Sequence, residues 1–220
     1  MSGNQPKIKT QEARYGVQLD YVIFPIDVRE LRRVLAKNGY ELSRVEHMPS
    51  PPSRVSFSGE VARKAETSVI LDSDSGEIGV IGASLQQVKD SFEELAGIVG
   101  AELDTTLHKN VGYYWCIAHY KINTGKVPLS QIAKAENKEY ITRFSRILKK
   151  DLASFSVRLA PKNARINEPS WFDIAIEPDI LNESVYHVGV VFREPSKNET
   201  ETFVRNLEND ILKLIQAIEE

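Results

Sequence analysis

The 220-residue chain is poor in several things that would narrow its role. It has one cysteine, Cys116, so no intrachain disulfide can form and nothing points to an oxidising compartment. No stretch approaches the roughly 18 uninterrupted apolar residues that a membrane span requires, so no membrane partner is expected. Residues 1–10 are polar, carry two lysines and lack the apolar centre of a signal peptide. Glycines form neither a G-x-x-x-x-G-K-S/T loop nor a G-x-G-x-x-G turn, and the usual phosphate cradles are missing. The four histidines, His47, His108, His119 and His187, never stand three or four residues apart, and no spacing argues for zinc. No G-x-S-x-G elbow occurs. Excess charge is lacking too: 28 Lys+Arg against 31 Asp+Glu leave a net −3.

What is present is an ordinary globular composition, 41% hydrophobic and 27% charged. The expectation is a soluble, cytoplasmic protein that carries no cofactor. The near-zero net charge conceals segregation. Residues 121–165 hold 11 basic and 3 acidic side chains, net +8, whereas residues 166–220 hold 4 and 12, net −8. Such segments either neutralise one another in the fold or present opposed fields to partners.

The chain carries one order of elements twice. Residues 15–24 alternate, with Tyr15, Val17, Leu19, Tyr21 and Ile23 on one face, and read as a strand. Asp27 and Glu30 form a capping-box pattern before a helix that buries Val28, Leu31, Val34 and Leu35, closed by Gly39. A Pro/Ser-rich loop at 48–53 precedes an alternating strand over 54–64, with Val55, Phe57 and Val61 inward. Residues 67–71 and 78–81 make a hairpin across Asp72-Ser73-Asp74-Ser75-Gly76. That turn begins like a calcium loop, but Gly76 and Ala83 fall where ligands belong. Ser84 and Gln87 open a helix with Leu85, Val88, Phe92, Leu95 and Val99 inward, stopped at Gly100.

After a polar connector at 104–110 the pattern restarts. Residues 111–122 are a strand, and Pro128 and Ser130 introduce one long helix to about Lys150. Ile132, Tyr140, Ile141, Phe144, Ile147 and Leu148 form its apolar side. Residues 152–159 alternate, with Phe155 and Val157 inward. Residues 171–176 and 185–192 make a hairpin around a loop at 177–183, and Asn198 with Glu201 caps a last helix. Phe203, Leu207, Ile211, Leu214 and Ile218 line that helix, and could pack within the chain or pair two copies as a homodimer. The organisation expected is a flexible N-terminus at 1–12, an α+β unit at 13–103, a connector at 104–110 and a second unit at 111–220. Each unit reads β-α-β-β-β-α, an antiparallel sheet with helices on one face. The tandem order resembles the TATA-binding-protein saddle, which would join the units edge to edge. Two separate ferredoxin-like or helix-grip-like units are the alternative, and neither likeness carries a function with it.

Two sets of residues are candidates for binding. Strand 111–122 is aromatic on both faces, Tyr113 and Trp115 lying with Ile117 and His119, and Tyr114 and Tyr120 with Cys116. A strand half exposed should be polar on one face. This one is therefore either central and covered, or it lines a surface where Tyr113, Trp115, His119 and Trp171 stack on bases or enclose an apolar ligand. Its alternation also separates Cys116 from His119, so they cannot meet as a nucleophilic pair. The second set is basic: Lys134, Lys138, Arg143, Arg146, Lys149, Lys150 and Arg158 could receive phosphates, or form a solvated helix face. The leading expectation is a non-enzymatic binding protein for a nucleic acid or another protein. A small-molecule module with an apolar pocket between sheet and helices, and an enzyme with a dispersed site, are the alternatives.

Overall fold

The structure is a computed structural model that describes residues 6–21, 24–44, 57–103, 105–135, 138–163 and 165–220. The expectations for Ile23, His47, Val55 and the loop at 48–53 lie outside the described residues. The chain is α+β: among the described residues, nine strands form one open antiparallel sheet accompanied by five helices. In chain order these are β1 (Lys7–Leu19), α1 (Val28–Lys37), β2 (Glu41–Leu42), β3 (Ser58–Lys64), β4 (Thr67–Asp72), β5 (Glu77–Gly82) and α2 (Leu85–Glu102). Then come β6 (Val111–Asn123), α3 (Pro128–Ala135), α4 (Lys138–Leu148), β7 (Val157–Leu159), β8 (Trp171–Asp179), β9 (Asn182–Glu194) and α5 (Lys197–Glu219). No described helix is long and apolar enough to cross a membrane.

The strand order is β2-β3-β4-β5-β1-β6-β9-β8-β7. Two 13-residue strands, β1 and β6, meet at the centre, with Tyr15 opposite Cys116 and Gly16 opposite Trp115. From this seam the sheet runs outward through β5, β4, β3 and β2 on one side and through β9, β8 and β7 on the other. Period two puts Tyr15, Val17 and Leu19 of β1 on the same face as Tyr114, Cys116 and Tyr120 of β6, all buried. Ile78 and Val80 of β5 and Tyr186, Val188 and Val190 of β9 continue that face. Helices cover it in the sequence α1, α2, α5, α3, each packed on the next. Tyr15 meets Phe92 of α2 edge-on, and Phe192 stacks on Phe203 of α5 at 3.8 Å between ring centres.

The caps explain where most helices begin. Asp27 Oδ1 accepts from the amides of Arg29 and Glu30, and Ser84 Oγ accepts from that of Gln87. Gly39, at φ 81°, supplies the left-handed residue after α1. A bulge between Glu60 and Ala62 turns both Val61 and Ala62 of β3 inward.

Several expectations change. The first strand starts at Lys7, so residues 7–12 pair with β6 instead of forming a flexible terminus. α2 runs past Gly100 to Glu102, because Gly100 keeps a helical backbone and Leu103 closes the helix. The long second-unit helix is two helices, and residues 136–137 between them are outside the described set. Only Ile132 of its expected apolar side is fully buried; Tyr140, Phe144, Ile147 and Leu148 are exposed. Strand 152–159 shrinks to β7, and Phe155 faces solvent. β8 and β9 consume most of the expected loop and turn at Ile180 and Leu181, with Leu181 N donating to Asp179 Oδ1. α5 is capped by Ser196, whose Oγ accepts from Glu199 N, and not by Asn198. Its Leu207 and Ile211 are buried against this chain, which takes them away from a second copy. In the polar connector, Leu107 is fully buried.

Candidate functional site

The other face of the sheet has no helix packed on it among the described elements, and it is there that the aromatic candidates gather. Hydrogen-bonded partners place Ile70, Gly79, Gly16, Trp115, Arg193 and Trp171 in one row across six strands, β4 to β8. The next row holds Ile81, Arg14, Ile117, Val191 and Asp173. Tyr113, Trp115, His119 and Trp171, expected to share a surface, therefore do share this face. Tyr114, Cys116 and Tyr120 lie on the helix side. Burial pushes the Cys116 thiol up to about 12, so it is a protonated core residue at neutral pH. Cys116 and His119 are on opposite faces, as the alternation requires.

Glycine makes the centre of this face possible. The Trp115 indole lies across Gly16 and Gly79; a Cβ added at those positions would sit 2.6 and 2.7 Å from its ring carbons. Only two residues without side chains leave the indole this bed, where it is 7% exposed. Beside it runs a cleft of about 250 Å³ lined by Ile70, Leu71, Ile81, Asp72, Glu77 and Trp115. The Tyr113 hydroxyl donates to Glu77 Oε1 at 3.0 Å, and burial raises the Glu77 carboxyl above its ordinary value. The Arg193 guanidinium stands 5.5 Å from the Tyr113 ring centre and donates to the Ile166 carbonyl. Arg193 was not legible as part of this arrangement, since cross-strand register alone brings it beside Trp115.

Three cations on this face are held by carboxylates. Arg14 pairs with Glu12 at 2.8 Å, Arg158 Nε donates to Asp173 Oδ1 at 2.8 Å, and Lys121 meets Asp179 at 2.8 Å. Lys126 meets Glu219 at 3.4 Å on the helix side. So Lys121, Lys126 and Arg158 of the basic segment are neutralised by the acidic segment that follows it. Arg158 is thereby separated from the other basic candidates. Lys134 on α3, Arg143 and Arg146 on α4, and Lys149 and Lys150 just after it are exposed, and no ion pair among the described residues engages them. Lys138 begins α4.

Two histidine arrangements stand apart from the cleft. His119 and His187 stack with ring centres 5.5 Å apart, above the gap left by Gly189, and His187 Nδ1 lies 3.1 Å from Glu177 Oε1. Desolvation, followed by the neighbouring His187, lowers the His119 pKa. On the helix side, His108 bridges Glu93 and the Tyr114 hydroxyl, both at 3.2 Å. No histidine lines the cleft. Among the described residues no group of three or more His, Cys, Asp or Glu is placed to hold a metal ion.

No protein-family model matches this chain, and no curated protein sequence is significantly similar to it. The arrangement offers a wide, half-buried apolar and aromatic surface on which Arg14, Arg158 and Lys121 are paired with carboxylates, suited to contact with a complementary surface.

Proposed function

We propose that this chain is a non-enzymatic binding protein that grips another protein through the uncovered face of its sheet. The observation that carries the reading is the pair of rows from Ile70 to Trp171 and from Ile81 to Asp173. They set aromatic and aliphatic side chains across the middle of the sheet on the face opposite the helices, with Trp115 buried and Arg193 held by the Ile166 carbonyl. A protein partner is favoured over nucleic acid because Arg14, Arg158 and Lys121 are already bound to carboxylates. Phosphate recognition needs cations free to replace counterions. The reading calls for no cofactor, and we take the protein to be cytoplasmic on the strength of its single, buried thiol.

We further infer that residues 13–103 and 111–220 are related units in a saddle-like tandem. Two supports are the repeated element order and a strand order that runs outward from the β1–β6 seam through corresponding strands.

A peptide-display library panned on the purified chain tests the binding reading. Selected peptides should lose at least about tenfold in affinity for an Ile117→Lys/Val191→Lys variant, whose changes touch only the uncovered face. Single-stranded oligonucleotides should not bind at moderate salt. Oligonucleotide binding that falls steeply with salt, or peptides indifferent to the double variant, would overturn the reading.

A further inference from the structure

α4 carries an apolar face that its own chain leaves bare. Tyr140, Phe144, Ile147 and Leu148 are 58%, 49%, 66% and 61% exposed, and no other described element packs extensively against the helix. At about 100° per residue these four span an arc of about 100°, which half-buried Ile141 extends to about 120°. Cations stand to either side of it. Arg143 follows about 40° beyond Ile147, with Arg146 further round, both exposed and without an ion pair among the described residues. Past the opposite edge comes Ser145, whose Oγ accepts from Leu152 N at 3.2 Å, and then the position of Lys138. Lys149 and Lys150 follow the last turn, both exposed. Residues 138–151 thus hold five cations against two carboxylates, Glu139 and Asp151.

The candidates for covering this arc ask different things of it. The sheet of the same chain is already taken, since α3 packs over β8 and β9. Another protein, or a second copy, would have to supply a groove, because the bare arc is a convex ridge. Four side chains also fall far short of the roughly 20–30 residues a side of a stable interface. A nucleic acid would use the arginines and have no use for Phe144, Ile147 and Leu148. An anionic bilayer surface uses both. Its acyl boundary takes a ridge without a matching groove, and its headgroups meet cations on both flanks of the apolar arc. Tyr140, with an apolar ring and a polar tip, suits the same level. The expectation of no membrane partner rested on the lack of a span. No described helix is long and apolar enough to cross a membrane, and a helix lying in the interface needs neither property.

We propose that α4 is a membrane-surface helix, lying flat on an anionic bilayer with Phe144, Ile147 and Leu148 in the acyl boundary and Arg143 and Arg146 on the headgroups. One short helix makes the attachment weak and reversible. It uses none of the residues in the two rows of the uncovered sheet face, so this proposal and the peptide-binding reading stand or fall separately.

Vesicle co-sedimentation of the full chain tests it, with phosphatidylcholine vesicles containing either none or about 30% phosphatidylserine. The chain is half-bound at about 0.5 mM anionic-vesicle lipid, a few-fold weaker than one myristoyl chain. Binding falls at least about tenfold on neutral vesicles, or in about 0.5 M salt. Phe144→Ser/Ile147→Ser and Arg143→Glu/Arg146→Glu, all at exposed positions, each lose at least about tenfold. Leu148→Ser is the second apolar variant should the first fold poorly by circular dichroism. Arg29→Glu, exposed on α1, binds as wild type does. Because Cys116 is buried, an Ile147→Cys variant takes an environment-sensitive dye at the new thiol alone, and its emission moves to the blue with anionic vesicles. Absence of binding up to about 5 mM lipid overturns the proposal. So does binding that responds to the arginine variant but not to the apolar ones, or that weakens equally with Arg29→Glu. A blue shift that grows with protein concentration in the absence of vesicles, or that an oligonucleotide produces in their place, assigns the helix to a second copy or to nucleic acid and also ends it.

Discussion

α1 and α4 are both short amphipathic helices with an apolar stripe and several arginines, and they meet opposite fates. In α1, Leu31, Val34 and Leu35 are fully buried against the sheet and α2, while Arg33 pairs with Glu30 and Lys37 with Glu102. In α4 the corresponding apolar residues face solvent, and the arginines have no ion pair among the described residues. The difference lies in what the surrounding chain provides. α1 sits over β2 and β3 with α2 alongside, and in the second half it is α3 that packs on the sheet, over β8 and β9. A periodic stripe states that a helix has a face to bury; it does not state which molecule buries it.

The contrast can be broken by substitution. Leu35→Ala should cost about 2–5 kcal/mol in urea denaturation, the usual range for emptying a tight core site. Leu148→Ala should stay within about 0.5 kcal/mol. If the two were equally costly, α4 would be packed in solution and the comparison would fail. The glycines offer a second contrast. Gly16→Ala places a Cβ 2.4 Å from the Ile78 carbonyl and 2.6 Å from the Trp115 ring. It should destabilise by about 1–3 kcal/mol and shift tryptophan emission. At Gly189 the same Cβ would meet only His119, at 3.6 Å, so Gly189→Ala should be nearly neutral in the same experiment. Third, Asp27→Ala removes the acceptor for two first-turn amides of α1 and should cost about 1 kcal/mol.

Acid separates the halves by smaller amounts. In the first half the Arg63 guanidinium, helped by the Ser43 hydroxyl, holds the Glu60 carboxyl down at about 2. The stabilisation is present above the unfolded value of about 4.5 and is lost as pH falls through about 2. Solvent screening limits it to no more than about 1 kcal/mol. In the second half, the lowered pKa of His119 means that the unfolded chain takes up the proton first. Stability should rise with pH just below 6.5, and His119→Gln should flatten that part of the profile. An imidazole titration by NMR with its midpoint above 6.5 would contradict this assignment.

The sequence disclosed what depends on neighbours along the chain. Alternation separated the two faces of β6 residue by residue, and the caps at Asp27 and Ser84 fell where the hydrogen bonds are. Polarity hid the start of β1, because residues 7–12 lie on an exposed stretch of strand whose order comes from pairing with β6, far away in the chain. The same blindness applied to the candidate site. Tyr113, Trp115, His119 and Trp171 were found because three share one strand and all are aromatic. Gly16, Gly79, Glu77 and Arg193 were missed because only cross-strand register sets them around Trp115. The segregation of charge was visible, but not its outcome. Lys121, Lys126 and Arg158 reach carboxylates on other strands and on α5, while Arg143 and Arg146 reach none among the described residues.

The central place of β1 bears on how the chain folds as it is made. β1 pairs on one edge with β5, about sixty positions later, and on the other with β6, about a hundred positions later. At ribosomal rates of about 5–20 residues per second, β5 emerges some seconds before β6. For that interval a 13-residue strand with alternating apolar side chains has one hydrogen-bonding edge open. Such an edge invites pairing with neighbouring nascent chains, and the guard available to it is the run of lysines at Lys7 and Lys9. Translation speed between residues 83 and 123 is therefore expected to govern yield more than it governs the stability of the finished fold.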